Sequence, residues 1–298
     1  MTDSRSQQSD KAEGLQPIIA FYIILASGLF AAFFSPIQDC DEVFNYWEPS
    51  HYLNHGYGLQ TWEYSPVYAI RSWTYAGIHS IVIALSRIVP FTNTKMAEFY
   101  FLRIVLATVC AGCQTKLFSV VSRAMNPRIA ILFLIISITT PGMFHASTAY
   151  LPSTFAMYTT MLGTAAFLDW RGGMRTAQGI MWFGIGATLG WPFAAALVAP
   201  FILEEVFVAS MTSDIAGTLT RFLDGTVRSL IILVRGPTSV SKHITHISHR
   251  LSKSPSMSSS IASWSSCLSI LSCIMFLVDL AKAQTFTARN HGTFTSAT

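Results

Sequence analysis

Long apolar stretches alternate with short polar segments along most of this chain. The first stretch runs from residue 15 to 34, about 20 residues, which is enough for a helix to cross a hydrocarbon layer of roughly 30 Å. Further apolar stretches lie at residues 73–91, 99–121, 129–144, 150–168, 180–203 and 230–234, the last of which stops after five residues. Each is predicted to be helical, because a helix satisfies its own backbone groups where water is absent. The pattern predicts an all-α polytopic membrane protein.

The two ends of the chain differ from its middle. Residues 1–14 are polar, and we expect a cytosolic tail followed by a retained signal anchor, because the first apolar stretch is longer than a signal-peptide core. Residues 236–298 are rich in serine and are expected to be disordered, apart from a weak apolar segment at 261–281. Residues 15–235 are predicted to form one transmembrane module.

The basic residues between the apolar stretches do not indicate a single orientation of the chain in the membrane. If the N-terminus is cytosolic and every stretch crosses, Arg123, Arg128, Arg171 and Arg175 all fall on the luminal side. The positive-inside rule favours the opposite side for such residues. Charge statistics therefore leave the sidedness open.

Composition supports a lipid environment and argues against other classes. Charged residues make up 11% of the chain, whereas soluble domains carry about 25%. The net charge of +4 comes from scattered basic residues, which is not the clustered pattern of a nucleic-acid surface. Five cysteines, an odd number without dense spacing, argue against a disulfide framework.

The densest candidate chemistry follows the first apolar stretch, in the loop at residues 35–71. Asp39, Asp41 and Glu42 place three carboxylates within four positions, among aromatic residues such as Tyr46 and Trp47. Repulsion between these acids means that something must use or neutralise them. The mixture of acids and rings predicts short helices on the membrane surface, with the rings at headgroup depth.

Local composition leaves three interpretations of this loop open. The acids are simply solvated, or Asp39 and Asp41 hold a hard cation, as paired carboxylates do in nucleotide-sugar transferases. In the third interpretation, one carboxylate accepts a proton from a sugar hydroxyl while a lipid phosphate departs from the opposite face, without a metal.

Several longer strings make the loop more specific. Residues 39–49 read DCDEVFNYWEP, and residues 60–66 and 68–72 read QTWEYSP and YAIRS. With shorter strings at 101–103, 141–144, 146–149, 151–158 and 190–193, they resemble glycosyltransferase family 22 over residues 36–208. The resemblance is strongest to the family's α-1,2-mannosyltransferase branch, which acts on dolichol-linked oligosaccharides in N-glycosylation.

This resemblance implies a GT-C fold whose first luminal loop carries the catalytic acid, in a multi-pass protein of the endoplasmic reticulum membrane. It implies dolichyl-phosphate mannose as the donor substrate, a dolichyl-diphosphate-linked oligosaccharide as the acceptor, inversion at the anomeric carbon, and no metal or other cofactor. The family's acidic pair matches Asp41 and Glu42. Asp41 is the expected base, with Glu42 or Asp39 orienting the acceptor and Asp39 as a rival base.

The candidate substrate-binding residues lie on the same loop and the next apolar stretch. Arg71 closes the loop at a depth suited to a lipid phosphate, although it also fits an interfacial anchor. Arg103 lies inside an apolar stretch, where an unpaired charge is costly. It is therefore expected either to bind substrate or to form a structural salt bridge, with Glu98 or with an acid of the loop. The remaining substrate-binding candidates lie on the same loop and are Glu63, Trp62, Tyr64 and His51. His51 lies four residues before His55, and it either contacts the acceptor glycan or is a solvated surface residue.

Alternatives to an active enzyme of this kind remain. Family members are much longer, and the resemblance fades before Arg235, which is typical of a truncated gene model and of an inactive fragment. A mannosyltransferase of glycosylphosphatidylinositol anchors shares the loop pattern. A transporter is disfavoured, because the apolar stretches carry almost no acids.

Overall fold

The helices of this protein form an antiparallel bundle beneath a helical loop. The computed structural model describes residues 15–65, 71, 73–87, 94–169, 175–212 and 215–232, and these residues contain helices and no strand. The α-helices are α1 (Pro17–Phe34), α2 (Cys40–Glu42), α3 (Glu48–His55), α4 (Trp73–Ser86), α5 (Lys95–Ala124), α6 (Pro127–Thr139), α7 (Pro141–Ala146), α8 (Pro152–Leu168), α9 (Arg175–Ile185), α10 (Ala199–Thr212) and α11 (215–232).

Three segments of the described residues are long and apolar enough to cross a membrane by themselves: Pro17–Phe34, Lys95–Ala124 and Pro192–Met211. The all-α polytopic architecture predicted from the apolar pattern is confirmed. The predicted tails at 1–14 and 236–298, with the apolar segment at 261–281, lie outside the described residues, as does Arg171.

The antiparallel pair of α1 and α5 forms the centre of the bundle. Thr94 caps the start of α5 by accepting a hydrogen bond from the amide of Ala97 at 3.2 Å. Gly28 allows the two helices to approach closely, since a Cβ at that position would lie 3.3 Å from the Cβ of Ala107. Small residues at such contacts are typical of helix pairs in membranes, where packing replaces the hydrophobic driving force.

The bundle has two chemically different ends. The loop end carries residues 35–65 and Arg71, and there His145 of α7 meets Ser35 at 2.9 Å. The arginine end carries Arg123 and Arg128, and there Arg123 lies 3.6 Å from Asp169, which follows α8. Helix α5 therefore runs from the loop end to the arginine end, α6 and α7 run back, and α8 returns.

The second apolar stretch does not cross the bundle, contrary to the prediction. Helix α4 lies alongside α3, where Ser50 donates to the carbonyl of Ala76 at 3.3 Å and Asn54 donates to that of Ser80 at 3.2 Å. After α4, Arg87 still lies at the loop end, 3.0 Å from Glu98 in the first turn of α5. With 14 residues, α4 is about 21 Å long, too short for the hydrocarbon layer.

The stretch at 180–203 was predicted as one span but forms parts of two antiparallel segments. Helix α9 continues through a π-helical turn, Gly186–Gly190, and the chain then bends at Trp191 into a 3₁₀ segment, Pro192–Val198, before α10. On the return, Phe201 stacks on Phe167 with ring centroids 4.8 Å apart. The proline lies where the chain turns.

The loss of one crossing removes the conflict in the charge pattern. Because α4 stays at the loop end, Arg123 and Arg128 lie at the end opposite the acidic loop. Arg175, the first residue of α9, lies at that same end, because α9 runs antiparallel to α8 with Gly179 against Phe167 and Gly163 against Phe183. Arg123, Arg128 and Arg175 therefore lie at one end of the bundle, opposite the acidic loop, which is the segregation of basic residues that the positive-inside rule predicts.

Candidate active site

The acidic segment after α1 folds as one continuous helical run. Asp39 caps it, because its Oδ1 accepts the amide hydrogen of Asp41 at 2.9 Å. Helix α2 then passes through a π-helical turn, Val43–Trp47, into α3, which ends at His55 and is followed by Gly56 as its C-terminal cap. Gly56 has φ of +79°, a left-handed conformation that favours glycine. Single π-helical turns are rare in proteins overall, but those that occur are frequently at functional sites.

Asp41 lies at the exposed edge of this run, held by two donors. Asn45 Nδ2 donates to Asp41 Oδ1 at 3.0 Å, and Arg71 Nη2 donates to Asp41 Oδ2 at 2.8 Å. The Asp41 side chain is nevertheless 47% exposed. Since a carboxylate has about four acceptor positions, it can still accept a proton from an incoming hydroxyl.

Arg71 joins the far end of the loop to Asp41. Its Nε donates to Glu63 and its Nη1 to the Tyr46 hydroxyl, while its backbone amide donates to the Glu63 carbonyl at 3.3 Å. Burial acts to lower the pKa of Arg71, but the hydrogen bonds and charges of Glu63, Tyr46 and Asp41 outweigh it and raise that pKa. Arg71 is therefore a permanent cation beside two carboxylates; its contact with a lipid phosphate stays a prediction.

Glu42 lies on the opposite, buried side of the same helical run. Its carboxylate Oε1 accepts the backbone amide of Tyr150 at 3.0 Å and the indole N–H of Trp47 at 3.3 Å, and only 3% of the residue is exposed. Burial raises the pKa of Glu42, against these hydrogen bonds and the charge of Arg103, which lower it. This position favours anchoring of the loop by Glu42 over contact with the acceptor.

The raised pKa of Glu42 predicts a pH dependence of stability. The native state binds the carboxyl proton of Glu42 more tightly than the unfolded state does, because the pKa of Glu42 is raised on folding. The native state therefore loses stability as the pH rises from the ordinary pKa of a glutamate through the raised pKa of Glu42. We expect Glu42→Gln to remove this part of the dependence. Thermal unfolding midpoints of the detergent-solubilised chain at pH 5 and pH 7.5 measure it; an unchanged difference between the two midpoints contradicts the assignment.

Arg103 lies beneath the loop and is 4% exposed. Its Nη2 donates to the carbonyl of Ala31 and to the hydroxyl of Thr148, both at 3.2 Å, and its Nε is buried without a hydrogen-bond partner. Of the two partners expected from the sequence, the loop acid is the relevant one, since the charges of Arg103 and Glu42 interact. Glu98 instead pairs with His55 and Arg87, at 2.9 Å and 3.0 Å.

The remaining candidates divide into two groups. Tyr64 is buried and donates its hydroxyl to the Asn45 carbonyl at 2.6 Å, whereas Trp62 is 60% exposed. His51 lies in a second cluster, where its Nδ1 is 2.9 Å from the Tyr57 carbonyl and its ring stacks on His55. Burial, and then the charge of His55, lower the pKa of His51.

The expectation that the loop rings all lie at headgroup depth is only partly correct. The Tyr46 ring is buried, and it contacts Tyr75 edge-on at a centroid distance of 5.4 Å and lies 5.8 Å from Tyr150. Among the described residues of the loop, the exposed rings are those of Phe44, Tyr57 and Trp62. The buried rings pack the loop onto the bundle, because rings removed from water stabilise a contact more than surface rings do.

The paired carboxylates are a weak metal site in this structure. Ligand atoms of Asp39, Cys40 and Asp41 lie within 4.8 Å of one another. However, Asp39 is engaged as a cap, and Asp41 already faces the guanidinium of Arg71, whose charge disfavours a second cation. The donor set fits an ion-paired carboxylate better than a cation site.

Three contributors to the site were not singled out from the sequence. Asn45 and Thr61 form a hydrogen-bonded chain to Asp41, and Tyr150 holds Glu42 through its amide and Ser50 through its hydroxyl, at 2.7 Å. A pattern could have indicated Asn45, because it lies four residues after Asp41 on a helix. Tyr150 is too far along the chain for any local signal.

Comparison with known proteins gives consistent matches. The model of the Alg9-like mannosyltransferase family matches residues 19–280. The chain is 44% identical over 201 residues to "Alpha-1,2-mannosyltransferase alg9" of Schizosaccharomyces pombe, covering 67% of this chain and 34% of that protein. It is 42% identical over 186 residues to the Homo sapiens protein of the corresponding name, covering 62% and 30%.

The chain thus spans about a third of the length of these curated relatives. The Saccharomyces cerevisiae relative, also an α-1,2-mannosyltransferase by name, is 34% identical over 186 residues and is covered to 33%. No solved structure matches the chain.

Proposed function

The chain belongs to the Alg9-like mannosyltransferase family, and from this premise we propose that it transfers mannose from dolichyl-phosphate mannose to a dolichyl-diphosphate-linked oligosaccharide, forming an α-1,2 linkage in N-glycan precursor assembly. The names of the relatives support the reaction class and the linkage. The single observation that carries the proposal is a half-exposed carboxylate, Asp41, which the amide of Asn45 and the guanidinium of Arg71 hold in the acidic loop at one end of the bundle.

The proposed chemistry is one displacement at the anomeric carbon. The acceptor hydroxyl oxygen forms a bond to C1 of mannose while the bond from C1 to the phosphate oxygen breaks, and dolichyl phosphate leaves with the electron pair. Asp41 accepts the hydroxyl proton, and attack from the face opposite the phosphate converts the β-linked donor into an α-mannoside. No cofactor is required in this scheme.

Arg71 is proposed to serve the same step from the other side of Asp41. Its guanidinium orients the carboxylate and adds positive charge close to where the departing phosphate gains negative charge. Glu63, which accepts a hydrogen bond from Arg71, and its exposed neighbour Trp62 are proposed to contact substrate. Asp39 is proposed as the helix cap, which leaves Asp41 as the base.

Transfer by the chain itself is the direct test. We expect the chain, produced in microsomes of cells that lack their own relative, to add mannose to a synthetic dolichyl-diphosphate oligosaccharide when dolichyl-phosphate mannose is supplied. A glycosylphosphatidylinositol precursor serves as the competing acceptor and is expected to stay unmodified. Transfer to that precursor alone, or to neither acceptor, contradicts the proposal.

The arrangement of charges supports a luminal position for the loop, in the endoplasmic reticulum. We expect a membrane-impermeant maleimide to label the exposed Cys40 only after microsomes are permeabilised, in a variant whose other cysteines are serine. Met125, which is 58% exposed at the arginine end, provides the matched control, since Met125→Cys should react in sealed microsomes. Labelling of Cys40 in sealed microsomes places the loop in the cytosol and excludes the proposal.

A further inference from the structure

The side chain of Asn45 connects Asp41 to Thr61, in a later segment of the loop. Asn45 is 5% exposed, and both ends of its amide are engaged: Nδ2 donates to Asp41 Oδ1 at 3.0 Å, and Oδ1 accepts from Thr61 Oγ1 at 2.7 Å. An ionised carboxylate only accepts hydrogen bonds, so the nitrogen of the amide must face Asp41. Its oxygen then faces Thr61, whose hydroxyl must donate.

This chain of donors has one direction, from Thr61 through Asn45 to Asp41. It is anchored at its centre, because the backbone carbonyl of Asn45 accepts the Tyr64 hydroxyl at 2.6 Å. Asn45 lies within the π-helical turn, four residues after Asp41, so its amide reaches the carboxylate from the same helical run. The other carboxylate oxygen of Asp41, Oδ2, accepts a hydrogen bond from Arg71.

We propose that Asn45 and Thr61 are positioning residues for the base, which fix the plane and direction of the Asp41 carboxylate. This inference rests on the proposed function, in which Asp41 takes the acceptor proton. A buried amide that is itself locked by a hydroxyl holds the carboxylate more rigidly than a solvated neighbour would. The exposed part of Asp41 is then presented in one orientation to the incoming hydroxyl.

The effect is expected in the rate of the chemical step. Without the amide, Asp41 keeps only Arg71 and can rotate away from the acceptor hydroxyl. We expect Asn45→Ala and Thr61→Val to lower kcat by roughly 10- to 100-fold, with the KM of donor and acceptor unchanged, because misplacement by about 1 Å has effects of this size. Thr61→Ser keeps the donor and should restore kcat to within about threefold of the unaltered chain.

Asn54 offers a matched control on the same helical run. Its amide donates to the carbonyls of Ser50 and Ser80, at 3.1 Å and 3.2 Å, and joins α3 to α4 without contacting Asp41. Asn54→Ala removes a half-buried amide of the same kind. Its kcat per folded molecule should stay within about twofold, although its stability falls by about as much as that of Asn45→Ala.

The experiment measures kcat and both KM values for the full chain in microsomes, normalised to folded protein, together with Asp41→Asn. Loss of kcat in Asn45→Ala and Thr61→Val, with recovery in Thr61→Ser, supports the inference. If Thr61→Val and Asn45→Ala behave like Asn54→Ala while Asp41→Asn is inactive, the positioning role is wrong and the proposed function stands. If Asp41→Asn is fully active, or the unaltered chain transfers nothing, the proposed function fails and the inference with it.

Discussion

Replacing Asp41 by asparagine is expected to abolish mannose transfer while the chain stays folded. Asparagine has nearly the same shape, and its amide oxygen can still accept one of the hydrogen bonds that Asn45 and Arg71 donate. It cannot accept the proton of a hydroxyl, and positioned bases contribute roughly 10²- to 10⁴-fold to rates, or about 2.7–5.5 kcal/mol. Initial rates in microsomes, normalised to folded chain by size-exclusion chromatography, measure the loss.

The matching variant of Asp39, the rival base, decides which of the two carboxylates accepts the proton. Asp39→Asn keeps a capping side chain, because asparagine is as effective as aspartate at a helix N-terminus. We therefore expect it to retain transfer to within a few-fold, whereas Asp39→Ala should lower stability by about 1 kcal/mol through loss of the cap. The reverse pattern, an active Asp41→Asn and an inactive Asp39→Asn, would falsify the assignment of the base.

Removing Arg71 is expected to have the second largest effect. Arg71→Ala takes away a donor to Asp41 and the cation that we propose acts on the departing phosphate, so kcat should fall by about 10²- to 10³-fold. Arg71→Lys should recover only part of the rate. One ammonium group cannot serve Asp41, Glu63 and Tyr46 with the planar geometry of a guanidinium.

Arg87 provides the comparison for this variant. It also pairs with an acid at the loop end, Glu98 at 3.0 Å, but outside the network of Asp41. Arg87→Ala should therefore keep kcat within a few-fold, while the loop loses one of its links to α5. If Arg71→Ala and Arg87→Ala reduce kcat equally, Arg71 acts only as a structural tie.

Part of the loop was predicted from local sequence. The short helices of the acidic segment and the basic residue that closes the loop, Arg71, follow from patterns within a few residues, whereas the capping role of Asp39 and the exposed position of Asp41 were not predicted. Hydropathy was misleading at α4, because it counts apolar residues without regard to what they face. Tyr75 and Ile83 of α4 pack into the protein core beneath the loop, so part of the apolar character of this helix serves contacts within the protein.

The prediction of residues 180–203 as one span was wrong for a similar reason. A proline is tolerated inside membrane helices, so Trp191 and Pro192 did not argue against a continuous span. In the fold, Gly190 approaches the Pro152 carbonyl so closely that a Cβ would lie 2.8 Å from it, and the chain turns there. Such a turn depends on a contact with α8 that no local pattern contains.

The bond between Glu42 and the amide of Tyr150 has a consequence for biosynthesis. The two residues are 108 positions apart, and at about 5–20 residues per second a ribosome needs roughly 5–20 seconds to make the intervening chain. Throughout that interval Glu42 lacks the backbone amide of Tyr150 as its partner. The acidic loop therefore reaches its final form only after the segment that leads into α8 has been synthesised, which makes Tyr150 the point in translation at which the candidate site can first be complete.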